Sequence, residues 1–107
     1  MCGANGGLVK SFSDGECIFA QGSRPTHVYL IQSGVVRLSR DEDGEDVTTG
    51  FLCRGSVLGE TDLLEGARRR FSAWALGETR LLAVSAEEIA HNADDPLLRE
   101  VLLRRAP

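Results

Sequence analysis

Glycine recurs along this chain at Gly15, Gly22, Gly34, Gly44, Gly50, Gly55, Gly59 and Gly66, and the segments between them are mostly short and rich in β-formers. That punctuation predicts strands joined by turns. "ECIFAQG", "HVYLIQSG", "VVRLSR", "EDVTTGFL", "FSAWAL" and "TRLLAV" each have strand length, and "RDEDGED" carries the Asp-Gly signal of a hairpin tip. In "VVRLS", Val36 and Leu38 are expected on one face and Arg37 and Ser39 on the other, as a half-buried strand requires. Many short strands at even spacing favour a sandwich, jelly roll or barrel, shapes that leave few exposed edges.

Helical signals come only near the end. "SAEE", Ser85 to Glu88, is a capping box in which serine and glutamate satisfy each other's free backbone amides, predicting a helix from about Ala86 to Asn92. "DDPLLREVLLRR" opens with Asp95 as cap and Pro96 in the first turn, and sets Leu98, Val101 and Leu102 on one stripe of a second helix. Its arginines, Arg99, Arg104 and Arg105, crowd toward the carboxyl end, where the helix dipole favours cations without any ligand.

Composition narrows the function classes. With 107 residues, 42% hydrophobic and 26% charged, the chain is expected to be one compact domain with one core. Twelve basic against sixteen acidic side chains give a formal net charge of −4, so no broad phosphate-backbone footprint and no direct nucleic-acid partner are expected. No apolar run is long enough for a membrane span, and "MCGANGGLVK" lacks a signal-peptide core, which predicts a cytoplasmic protein. Cys2, Cys17 and Cys53 share no CxxC spacing and are read as buried or incidental thiols. His27 and His91 form no His-x-His pair, and no nucleophile elbow occurs, so neither a metal site nor catalytic residues are expected and an enzyme is not.

The order "GECIFAQG…HVYLIQSGVVRLSRDEDGE…GSVLGETDLLEG…RR…ALGETRLLAVSAEEI" resembles the cyclic-nucleotide-binding domain of catabolite activator proteins, kinase regulatory subunits and nucleotide-gated channels, over roughly Phe12 to Leu103. The resemblance implies a mainly β fold: an antiparallel, jelly-roll-like β-roll of eight strands, a short helix in a phosphate cassette, and two C-terminal helices. The expected division is an N-terminal extension at 1–11, the roll at 12–84 with its cassette at 59–72, and the terminal helices at 85–107. No helix-turn-helix of the kind that lets activator relatives read DNA is expected after the roll.

A cyclic nucleotide presents a singly charged phosphodiester and a free ribose hydroxyl, so its receptor needs an acceptor for one and donors for the other. The resemblance gives Glu60 the hydroxyl, Gly59 the close backbone turn, residues Thr61 to Glu65 a helix whose amino end faces the anion, and Arg69 the phosphate clamp. The chain departs from the family at Asp62, where a small residue is usual. Two like charges about 5 Å apart at an effective dielectric near 20 repel by roughly 3 kcal/mol. That repulsion shrinks if Asp62 faces solvent or pairs with Arg68 or Arg70. "RRFS" is a second departure, because Arg70 and Phe71 are oversized for their places and a register starting at Arg70 also fits. Phe71 is read as core, Arg70 as a second phosphate contact or an outward charge, and Ser72 as a hydroxyl near the ligand or a surface serine.

The implied function is a sensor that binds cAMP or cGMP, needs no cofactor, and passes a shift of its terminal helices to another domain or subunit, with a homodimer among the partners. The alternative is a degenerate module that keeps the roll for protein interaction or dimerisation and has lost the ligand.

Overall fold

The computed structural model describes residues 7–91. Six strands form one antiparallel sheet: β1 (Leu8–Phe12), β2 (Cys17–Phe19), β3 (His27–Glu42), β4 (Glu45–Cys53), β5 (Val57–Leu58) and β6 (Ser72–Ser85). The spatial order is β1-β6-β3-β4, with β2 added to β6 and β5 to β3. Two short helices interrupt the strands, α1 (Glu60–Glu65) between β5 and β6 and α2 (Ala86–His91) after β6. The chain is thus a mainly β antiparallel fold, as expected. Eight strands are reached only by counting β3 and β6 twice each, because β3 runs through Gly34, which the sequence suggested as a break, and β6 runs through Gly77.

The break at Gly34 is a kink, not an end. Pairing of β3 with β6 shifts register between Ile31 and Ser33 and again between Ser33 and Val35, so one strand turns the corner of the roll without leaving the sheet. Gly34 makes this possible with φ 89°, and a Cβ there would lie 2.6 Å from both the Glu78 carbonyl oxygen and Thr79 Oγ1. Only glycine fits both the left-handed backbone and the close approach. At the other end of β3, the two-residue turn Asp43–Gly44 joins β3 to β4 with both residues at positive φ, the primed geometry that the Asp-Gly signal predicts.

Alternation along the strands divides the apolar residues between two clusters. Leu81 and Ala83 face inward with Ile18, Tyr29, Ile31, Val36, Leu58 and Ala73, while Leu82 and Val84 face the other way and pack with Leu30 and with Ile89 of α2. Phe12, Phe19, Leu38 and Leu52 border the inner cluster and leave it open toward α1. Residues Leu8 to Phe12, most of them assigned from sequence to an extension, pair with Ala83 to Thr79 of β6. The apolar residues of β1 gave little warning, since Leu8 and Val9 are both exposed and the strand is held by backbone pairing.

Ser85 and Glu88 form the capping box read in the sequence: the Glu88 amide donates to Ser85 Oγ at 3.1 Å and the Ser85 amide to Glu88 Oε1 at 2.9 Å. The Glu88 carboxylate also accepts from the Gly7 amide, and these backbone donors hold its pKa below the ordinary value. Cys17 and Cys53 are exposed, not buried, because each follows the outward phase of its strand. Cys2 and the second terminal helix expected after Asp95 lie outside the described residues. Among the described residues no helix is long and apolar enough to cross a membrane.

Gly34→Ala is expected to destabilise the domain by more than about 2 kcal/mol, from left-handed strain plus displaced backbone, read as a lower urea midpoint at unchanged slope. Ser85→Ala is expected to cost about 1 kcal/mol. The Glu88 contribution is present above the ordinary glutamate pKa and is lost as pH falls through the depressed folded value, so titration toward acid should narrow the gap between wild type and Glu88→Gln.

Candidate functional site

Between α1, β2 and the bent strands lies a hollow of about 350 Å³, lined by Phe19, Leu38, Leu52, Val57, Leu58, Gly59, Glu60, Thr61, Asp62, Arg70 and Phe71. That volume is within the range of small-molecule sites, and the apolar walls with a few converging polar groups match their usual make-up. Leu38 arrives there by the alternation with Val36 that the sequence showed. Phe19, Leu52, Val57 and Leu58 carried no functional signal, because they reach the wall through strand pairing across the sheet. A second cleft of about 370 Å³, lined by Arg24, Pro25, Asp62, Leu63, Gly66, Ala67 and Arg68, borders α1 but lacks Glu60 and an aromatic wall.

α1 is held at both ends by glycine in the left-handed region. Gly59 is its N-cap at φ 84°, and Gly66 its C-cap, with the Gly66 amide donating to the Asp62 and Leu63 carbonyls and the Ala67 amide to the Asp62 carbonyl. The chain then leaves α1 in an extended segment that pairs with the β2–β3 loop: the Gly22 amide donates to the Arg69 carbonyl at 2.8 Å, and the Arg69 amide to the Ser23 carbonyl at 2.9 Å. Extended backbone sends successive side chains to opposite sides. Arg69 therefore turns inward while Arg68 and Arg70 stay on the surface.

Arg69 is 3% exposed. Its Nη1 donates to the Gly59 carbonyl at 2.5 Å and its Nη2 to the His27 carbonyl at 2.6 Å, while the guanidinium carbon sits 4.1 Å from the centre of the Phe19 ring. Gly59 admits this approach, since a Cβ there would fall 2.5 Å from Arg69 Nη1. Burial lowers the guanidinium pKa, and Tyr29, Asp62 and Glu60 push it back up; an arginine so placed stays charged at any physiological pH. Each charge-assisted bond is worth about 1.5–3 kcal/mol, and a desolvated cation over an aromatic face adds up to about 2 kcal/mol. Arg69 is thus a strongly held internal strut, and it is not on the wall of the hollow.

The carboxylates are placed differently. Glu60 is 8% exposed, lines the hollow and accepts from Thr61 Oγ1 at 3.3 Å. Asp62, 7% exposed, points toward the segment after α1: its Oδ2 accepts from the Arg70 amide at 3.3 Å, and its Oδ1 lies 3.6 Å from Arg70 Nε. Arg70 Nη2 also reaches Glu65 Oε1 at 2.6 Å, and that bond is the main reason its pKa is raised. Of the alternatives read from sequence for Asp62, the pairing with Arg70 is the one formed. Ser72 Oγ accepts from the Gln21 amide at 2.9 Å and is absent from the wall. Phe71, read as core, is half-buried on the wall, with the Arg40 guanidinium carbon 5.8 Å from its ring centre.

Gly59, Glu60, Thr61, Asp62 and Arg70 therefore come together at one hollow, and Arg69 and Ser72 stand behind or beside it. The arrangement offers two buried carboxylates, of which Glu60 is free of any cation at hydrogen-bond distance among the described residues, one half-exposed guanidinium as a donor to an anion, and apolar faces around them.

Comparison with known proteins gives a consistent picture. The family model described as "Cyclic nucleotide-binding domain" matches residues 9–93. The chain is 35% identical over 103 residues to the cyclic AMP receptor protein of Thermus thermophilus, covering 86% of this chain and 48% of that protein. It is 38% identical over 82 residues to a global nitrogen regulator of Synechococcus elongatus, covering 74% of this chain and 37% of that one. The crystal structure of the Thermus thermophilus catabolite activator protein superposes with a TM-score of 0.79 at 34% identity, over 91% of this chain and 46% of that chain. The chain spans about half, or less, of the length of the curated relatives it matches.

Because two part-buried carbonyls depend on one guanidinium, Arg69→Gln is expected to destabilise the unliganded domain by about 2–4 kcal/mol, measured by urea unfolding. Arg70→Gln, which keeps the Arg70 amide as a donor to Asp62, is expected to lower the melting temperature less than Arg69→Gln does.

Proposed function

This chain belongs to the cyclic nucleotide-binding domain family, and from that premise we propose that it is a regulatory sensor that takes cAMP or cGMP in the hollow beneath α1 and relays the binding to another domain or subunit. The observation that carries the reading is the presence of Glu60 and Arg70 on one wall whose other residues are mostly apolar. Glu60 accepts the ribose hydroxyl, the phosphodiester lies toward the arginine side, and Leu38, Leu52, Val57 and Phe71 enclose the sugar and base. The Thermus thermophilus relative is a cyclic AMP receptor protein; for this chain, either purine nucleotide fits the chemistry of the wall.

The relay we infer is a population shift in which ligand draws α1 toward the hollow and α2 repacks. A small cleft lined by Leu63 and Leu64 of α1 and by Ala86 and Ile89 of α2 joins the two helices, so movement of one changes the packing of the other. No covalent chemistry is assigned to the domain, and no cofactor enters the scheme.

One observation favours the second reading, a roll kept for protein contact without ligand. Phe51 and Leu76 are 60% and 47% exposed, and their partners Arg37 and Val35 alternate onto the same outer face of the sheet. The two readings part in one measurement. Calorimetry on the purified chain is expected to give micromolar-range binding of cAMP or cGMP, weakened about ten- to a hundredfold by Glu60→Ala, the loss of one charge-assisted hydrogen bond. Flat titrations with both nucleotides at millimolar concentration, on a folded sample, favour the interaction module.

A further inference from the structure

Three consecutive arginines invite the assumption that the most buried one grips the ligand, and the contacts argue otherwise. Arg69 spends its donors on the Gly59 and His27 carbonyls and lies against Phe19, so drawing it into the hollow strips two part-buried acceptors of their partner. Arg70 already stands on the wall, half exposed, with its guanidinium facing the carboxylates of Asp62 and Glu65. An anionic oxygen arriving at Arg70 exchanges one anion for another, and Asp62 keeps the Arg70 amide as a donor.

We propose that Arg70 is the guanidinium that meets the ligand's phosphodiester, and that Asp62 is a built-in surrogate anion that occupies Arg70 until the ligand replaces it. Position 62 then determines affinity. The inference rests on the nucleotide reading of the hollow and specifies its regulation. Its physical basis is the charge on the wall: Glu60 and Asp62 against Arg70 leave a net negative surface facing an incoming anion, and removing the charge of Asp62 leaves the wall neutral. Asp62 is itself buried and cannot retreat into bulk water, so the opposition persists for as long as Asp62 keeps its charge. Glu65, exposed on the far side of Arg70, steadies the same guanidinium without lining the hollow.

The test is calorimetric titration of cAMP and of cGMP into the full chain as wild type, Asp62→Asn, Asp62→Ser, Arg70→Gln and Arg69→Lys, with the melting temperature of each recorded without nucleotide. Asparagine keeps an oxygen for the Arg70 amide, and serine serves as the second variant should Asp62→Asn fold poorly. Asp62→Asn is expected to bind about tenfold more tightly than the wild type. Arg70→Gln is expected to bind at least about tenfold more weakly with a smaller fall in melting temperature than Arg69→Lys, which moves affinity less. Binding by Asp62→Asn alone, with a silent wild type, supports the proposal in its strongest form. A folded Asp62→Asn that binds no tighter than a binding wild type overturns it while leaving the nucleotide reading intact, as does an Arg70→Gln that binds like the wild type. Silence of the wild type and both Asp62 variants at millimolar nucleotide overturns the nucleotide reading, and this inference with it.

Discussion

The bridge from the Arg69 guanidinium to the carbonyls of Gly59 and His27 is the contact on which the rest of the site depends. Gly59 begins α1 and His27 begins β3, so one side chain ties the helix that roofs the hollow to the first residue of the longest strand. The tie is short, charge-assisted and shielded by the Phe19 ring, whose other neighbour is Tyr29 at 6.1 Å between ring centres. Such a bond survives where a surface pair does not, because water cannot compete for its donors. It also explains why a glycine stands at position 59, where any side chain would occupy the place of the guanidinium.

Once Arg69 is fixed inward, the roles of its neighbours are settled by geometry. Backbone pairing with Gly22 and Ser23 keeps the segment extended, so Arg68 and Arg70 emerge on the opposite side. Arg68 donates to the Gly22 carbonyl and braces the same loop, and Arg70 meets Asp62 and Glu65. The repulsion that Asp62 was expected to bring to an anion site is therefore partly answered within the protein. A carboxylate 7% exposed needs partners, and Asp62 finds them in the Arg70 amide and guanidinium. The oversized residue after Arg69 and the acidic residue in α1 are departures from the family pattern that compensate each other.

Much of the fold was legible because it rests on local chemistry. The Asp43–Gly44 turn, the Ser85–Glu88 box and the alternation of Val36 and Leu38 each follow from a few adjacent residues and appear as read. What was hidden depends on partners distant in sequence. Gly34 looked like a strand end, and only the crossing of β3 over Glu78 and Thr79 shows it to be a corner. β1 carries exposed apolar residues and owes its place to the edge of β6. In the site, residue types and spacing brought attention to Glu60, Asp62 and the arginines. The direction each arginine takes is decided by the Gly22–Arg69 and Arg69–Ser23 bonds, which no spacing within "ARRRF" encodes.

The same contacts bear on how occupancy of the hollow reaches the end of the chain. His27 accepts from Arg69 through its carbonyl, and the preceding residue, Thr26, accepts from the Ala86 amide at the start of α2 at 3.1 Å. Two adjacent peptide units thus hold the cassette on one side and the terminal helix on the other. Burial and the charges of Lys10 and Arg69 lower the His27 pKa against the pull of Glu88, which places a carboxylate of α2 within electrostatic reach of the same point. A relay needs an element with two arrangements that both sites bias. The strut makes the Gly59–His27 side of that element rigid, so a ligand acting on α1 has its freedom of movement at the other end of the helix, where Leu63 and Leu64 face Ile89 across an apolar cleft. Apolar contacts slide with little loss of energy and hydrogen-bonded charges do not. In the proposed relay, displacement of α1 is accordingly steered toward α2, with Arg69 as the fixed pivot.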